Sequence, residues 1–130
     1  MATAHEMPRF EYRRGRRLGK NFAPRPGIDT ATHPGQAPGL STFETLRLRR
    51  REKAQMIDLT LLKPPLRGIP DDPAAGGTPG HVAIVPVDAN GAVDQQLLDE
   101  WAASRGQNPP HLLTQNVMDA VVQADVRQQP

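Results

Sequence analysis

Apolar and polar positions fall into short periodic runs separated by stretches rich in proline and glycine. Phe10 and Tyr12 alternate with charged neighbours, which predicts a strand from Phe10 to Arg14. Ser41-Thr42-Phe43-Glu44 has the serine-to-glutamate spacing of a capping box and predicts a helix over 42–53, with Phe43, Leu46 and Ala54 as its buried stripe. Met56 to Leu62 is apolar with Asp58 and Thr60 turned out, a strand that Lys63-Pro64-Pro65 ends because proline supplies no ladder donor. Residues 68–80 hold four glycines and three prolines and predict a long loop. His81 to Val87 is the clearest strand; Pro86 puts it at a sheet edge or a bulge, and Asp88-Ala89-Asn90-Gly91 turns the chain. Asp94 caps a helix carrying Leu97, Leu98, Trp101 and Ala102, which Gly106 stops. Thr114 caps another, with Val117, Met118, Val121 and Val122 on one face. The predicted fold class is α+β: a small compact domain with a few short, mostly antiparallel strands, about three helices and long Pro/Gly-rich loops.

Composition narrows the function classes. A chain of 130 residues is expected to form a single domain, 1–130, with 1–9 and 126–130 flexible. It has no cysteine, which excludes disulfides, thiol catalysis and thiolate metal sites. No run of 18 apolar residues and no apolar leader segment is present, so no membrane role is expected and the expected location is cytoplasmic. The formal net charge is only +2, but it is unevenly spread. Residues 1–51 carry 11 basic and 4 acidic side chains, whereas 52–130 carry 5 and 10.

Candidate chemistry therefore starts with the arginines. Arg9, Arg13, Arg14, Arg16, Arg17, Lys20 and Arg25 are interleaved with Phe10, Tyr12 and Phe22. Guanidinium forks grip phosphates and aromatic rings stack on bases, so this arm reads as a surface for nucleic acid or a dinucleotide pyrophosphate. The alternative is a solvated arm that pairs with the acidic half. None of the four histidines has metal-ligand spacing, and no metal is expected. His5 and His33 fall in loops as bystanders, and His111 neighbours a helix cap. His81 stands at a strand start after a Gly/Pro-rich loop, either as an active-site group or as a satisfied strand-end histidine. Ser41 and Ser104 are the only serines, and neither lies in a Gly-x-Ser-x-Gly turn. With Thr42, Ser41 is most economically a helix cap.

One ordered set of motifs goes further: Tyr12-Arg13, then Gly39-Leu40-Ser41-Thr42-Phe43-Glu44, then Gly80-His81-Val82-Ala83-Ile84-Val85-Pro86, then an amphipathic helix. This order resembles the small exported toxins of type VI secretion systems whose fold is related to ADP-ribosyltransferases. Val82 departs from that pattern, where the family strand has an aromatic residue. The resemblance implies an ADP-ribosyltransferase-like fold, NAD as the dinucleotide used, action in a target cell's cytoplasm, and a neutralising immunity or antitoxin protein. It implies catalytic roles for Ser41 and His81, and NAD contacts from Tyr12, Arg13, Arg14, Thr42 and Phe43, with Arg13 or Arg14 on the pyrophosphate. No Gln/Glu-x-Glu motif is present, so the acid that would meet the developing ribose cation is not located by it. Two other classes stay open: a nucleic-acid-binding or nuclease protein using the arginine arm, and a non-enzymatic interaction or structural module.

Overall fold

The computed structural model describes residues 7–127. It is an α+β domain in which six antiparallel strands form one sheet, with two helices between the fifth and sixth strands in the chain. The strands are β1 (Phe10–Arg14), β2 (Leu40–Phe43), β3 (Ala54–Asp58), β4 (Leu66–Pro70), β5 (His81–Pro86) and β6 (Val121–Val126). They lie in the order β4-β5-β2-β1-β3-β6. The helices are α1 (Gln95–Ala103) and α2 (Leu112–Asp119). No helix among the described residues is long and apolar enough to cross a membrane.

Strand parity sorts the side chains, because successive residues face opposite sides of a sheet. Leu40 pairs with Ile84, Thr42 with Val82 and Glu11 with Ile57, and all six are fully buried on one side. Leu40, Val82, Ile84 and Ile57 join Phe22, Leu98, Trp101, Leu113 and Val117 in one apolar cluster. Burying a side chain of this size contributes roughly 1.5–3 kcal/mol, so this cluster is the main source of stability. The helices are tied within it, since Trp101 Nε1 donates to Thr114 Oγ1 at 2.9 Å.

Several expected elements are corrected by this arrangement. Residues 42–53 form no helix: Leu40–Phe43 is a strand held between β1 and β5, and turns and open backbone follow. Arg47, Arg50 and Arg51 would repel one another at helical spacing. Instead Arg14 donates to the Arg47 carbonyl and the Arg49 N–H donates to Glu52. The expected strand over 56–62 is β3 followed by a 3-10 turn at Leu59–Leu61, which Asp58 caps by accepting from the Thr60 N–H. The front of the expected 68–80 loop belongs to edge strand β4. β5 is interior rather than an edge; Pro86 is tolerated because β2 pairs no further along it than Ile84. α2 is capped by His111, whose Nδ1 accepts from the Leu113 N–H, while Thr114 lies inside the helix. Val121 and Val122 belong to β6 rather than to that helix, and two helices form instead of about three. Of the terminal stretches expected to be flexible, 1–6 and 128–130 lie outside the described residues. Arg9 is ion-paired to Asp58, and Val126 is buried against β3.

Candidate functional site

The side of the sheet opposite the main cluster carries the motif residues. Phe43 pairs with His81 and Ser41 with Ala83, so Ser41, Phe43 and His81 project from the same face of β2 and β5. Tyr12 pairs with Phe43 and extends the row onto β1. The chain between the 3-10 turn Gly19–Phe22 and β2 crosses this face and is pinned where the Gly39 N–H donates to the Asp29 carbonyl. Beneath it lies a cavity of about 180 Å³ lined by Arg25, Asp29, His33, Gln36, Ser41 and His81, among others. Pockets for drug-sized ligands run to about 300–1,000 Å³, so this one has room for only a fragment of such a ligand.

His81 is the best-defined group in it. Its Nδ1 lies 2.6 Å from Asp71 Oδ1, and both side chains are buried. A carboxylate only accepts, so Nδ1 carries the proton and Nε2 is left as the atom that can take or give one. Asp71 is itself held: Oδ2 accepts from Gln36 Nε2 and from the Thr78 N–H, both at 2.9 Å. The Asp71 N–H donates to the His81 carbonyl. The Phe43 ring meets the imidazole edge-on, with centroids 5.0 Å apart and planes at 62°. The ring is therefore held at Nδ1 and along one edge, and such outer contacts are what set an imidazole's tautomer and orientation.

A second carboxylate reaches the cavity. Asp29 Oδ2 accepts from the Arg25 N–H and Nε, and Oδ1 accepts from the other end of the guanidinium. Burial alone would lift the Asp29 carboxyl. The hydrogen bonds and charge of Arg25, with Arg13 behind, outweigh it and hold the group below the usual carboxylate range. Asp29 is thus a fixed negative charge at neutral pH. Arg13, most of whose surface is covered, donates to the carbonyls of Asn21 and Ser41 at 2.8 and 3.0 Å. Burial lowers its pKa to about 10, so it remains a cation.

Ser41 and His81 thus share one cavity, with Phe43 packed on the imidazole and Tyr12 beside Phe43. Arg13 clamps the backbone behind Ser41 rather than opening onto the cavity lining. Arg14 is on the surface, paired with Glu52. Thr42 faces the core, where its hydroxyl lies 2.9 Å from the Val82 carbonyl and 3.1 Å from Glu11 Oε1. His33, read from the sequence as a bystander, lines the cavity. Sequence reasoning missed Asp71, Gln36 and Asp29, and it read Arg25 as part of the phosphate-gripping arm rather than as the partner of Asp29. The available signals were an aspartate ten positions before His81 in the Pro/Gly-rich loop and the Arg25/Asp29 pair four residues apart. Among the described residues, no group of three or more His, Asp or Glu side chains gathers as metal ligands would. Compared with protein-family models, curated proteins and solved structures, the chain finds no match.

Proposed function

We propose that this chain is an ADP-ribosyltransferase-like toxin acting on NAD, and that the cavity under Ser41 and His81 receives its nicotinamide–ribose end. The observation that carries the reading is the convergence of Ser41 and His81, 40 residues apart in sequence, on one cavity that also holds the ionised Asp29. When bound, NAD supplies a positively charged nicotinamide leaving group on a ribose carbon that becomes cation-like as the bond breaks. Asp29 meets that charge with a carboxylate already ionised and oriented by Arg25, so no reorganisation is needed at the moment of reaction. His81 accepts a proton at Nε2 from the attacking hydroxyl or water, and Asp71 stabilises the imidazolium that results. Ser41 offers a hydroxyl to the nicotinamide amide, and Phe43 keeps the imidazole turned toward the cavity. A volume near 180 Å³ cannot enclose a dinucleotide. The phosphates therefore lie outside it, near Arg25 and His33, and Arg13 supports them by charge through the Ser41 backbone.

The reading predicts that expression in a bacterial cytoplasm without a neutralising partner stops growth while cellular NAD falls. Ser41→Ala and His81→Ala should each relieve the arrest at equal expression. Unimpaired growth of cells accumulating the unmodified protein would contradict it.

A further inference from the structure

Away from the cavity, one end of the sheet gathers cations that the proposed NAD chemistry does not use. β1 ends at Arg14 and turns at Gly15, whose N–H donates to the Lys53 carbonyl at 2.8 Å. The 44–53 connection is thereby laid beside the 15–17 turn. Arg14 fastens the two, donating to Glu52 and to the Arg47 carbonyl. Glu52 also accepts from the Arg49 N–H and is consumed internally as a brace, while Glu44, the other acid of this segment, lies at its start, where its N–H donates to the Gly80 carbonyl. On the far side Val126 pairs with Ala54, which brings Arg127 to the same end. Arg16, Arg47, Arg49, Arg50, Arg51 and Arg127 are all exposed there. Among the described residues none of the six has a carboxylate partner within ion-pair distance. Arg51 moreover has φ +74°, a left-handed conformation that glycine or asparagine would adopt at less cost.

We infer that this arginine-rich end is a docking surface for the phosphate backbone of a nucleic acid. Six guanidiniums with no carboxylate within ion-pair distance among the described residues match phosphate oxygens in fork geometry, which a set of lysines would not. Centres of protein–protein interfaces are rich in aromatic side chains and poor in charge. This surface has the reverse composition: Leu46 and Leu48 are half-buried, and no large apolar side chain of the 44–53 connection is exposed. The same lack of apolar residues argues against insertion into a lipid surface. Without aromatic rings to stack on bases, recognition is of the backbone, and sequence selectivity is weak.

The experiment is binding of fluorescently labelled duplex DNA and single-stranded RNA, followed by anisotropy between about 50 and 200 mM salt. Six phosphate contacts predict a slope of log K against log salt of about −5 on duplex. The triple variant Arg49→Gln/Arg50→Gln/Arg51→Gln should weaken binding at least about tenfold and flatten the slope by about 3, roughly 1 per contact removed. Arg67→Gln, on β4, should leave both unchanged. These side chains are exposed, and matching circular dichroism spectra will establish that the variants fold. Absence of binding at the lowest salt, or equal loss in Arg67→Gln, overturns the inference. Tighter binding to anionic phospholipid vesicles, or displacement by poly-glutamate at equal charge, also overturns it in favour of a membrane or an acidic protein. His81→Ala should bind nucleic acid normally, so failure of the NAD reading leaves this result distinct.

Discussion

Glu11 and His81 show how the same sheet gives two titratable side chains opposite tasks. Glu11 is fully buried on the core side, and its Oε2 has no hydrogen-bond partner. Desolvation pushes its pKa from 4.5 up to about 8, the Thr42 hydroxyl opposing and Glu44 adding a little. The Thr42 hydroxyl has one proton and two neighbours that accept, Val82 O and Glu11 Oε1. A protonated Glu11 resolves this by donating to Thr42, which then donates to Val82. Because the folded-state pKa is raised, the stabilising contribution is complete below the unfolded value of 4.5 and is lost as pH climbs through about 8. Denaturant unfolding between about pH 5 and 9 should therefore show falling stability, and Glu11→Gln should flatten the decline. An identical decline in Glu11→Gln would mean that another group titrates. His81, on the other face, keeps one nitrogen committed to Asp71 and one free. Asp71→Asn should lower NAD turnover by about 10²–10⁴-fold, the usual worth of a positioned acid–base group. The thermal midpoint should move little, because asparagine has the same shape and its amide oxygen can still accept from Gln36 and the Thr78 N–H. A variant that merely unfolds would lose the midpoint as well.

At the scale of elements, legibility in the sequence followed how local the determinants were. β1, β5, the Asp88–Gly91 turn and α1 with its Asp94 cap are all visible in the chain, because alternation, turn residues and a cap act over a few positions. β2 was hidden: Ser41-Thr42-Phe43-Glu44 has the spacing of a helix start, and pairing with β1 and β5 overrides it. β6 was hidden likewise, since Val121 and Val122 continue the helical spacing of Val117 and Met118 until pairing with β3 captures them. The site divides in the same way. Ser41 and His81 could be read from motifs, whereas Asp71 and Asp29 acquire roles only when loops fold back over β2 and β5. Glycine at position 39 shows what that return demands. Its φ is +144°, and a Cβ there would lie 2.6 Å from the Ile84 carbonyl oxygen. Gly39→Ala should thus destabilise the fold by more than about 1 kcal/mol, measured by denaturant unfolding. A neutral result would show that the strap over the cavity is looser than described.

For the whole molecule, the uneven charge of the sequence becomes a spatial polarity. Arginines of the front half gather at one end of the sheet, where Glu52 is spent on internal bracing. Only Arg13 and Arg25 of that half turn toward the cavity region, and both are occupied, with backbone carbonyls and with Asp29. The arm is therefore not uniformly solvated: two of its arginines build the cavity's surroundings, and the rest face outward. Chemistry and docking are separable on this account. Its central claim is that Ser41, His81 and Asp29 form one reactive centre, and release of free nicotinamide from NAD by the purified chain tests that most directly. The account predicts measurable release by the unmodified protein and at least about a hundredfold loss in His81→Ala and in Asp29→Asn. It also predicts retention in the Arg49→Gln/Arg50→Gln/Arg51→Gln variant. No release by the folded protein, or release that survives both cavity substitutions, would contradict it.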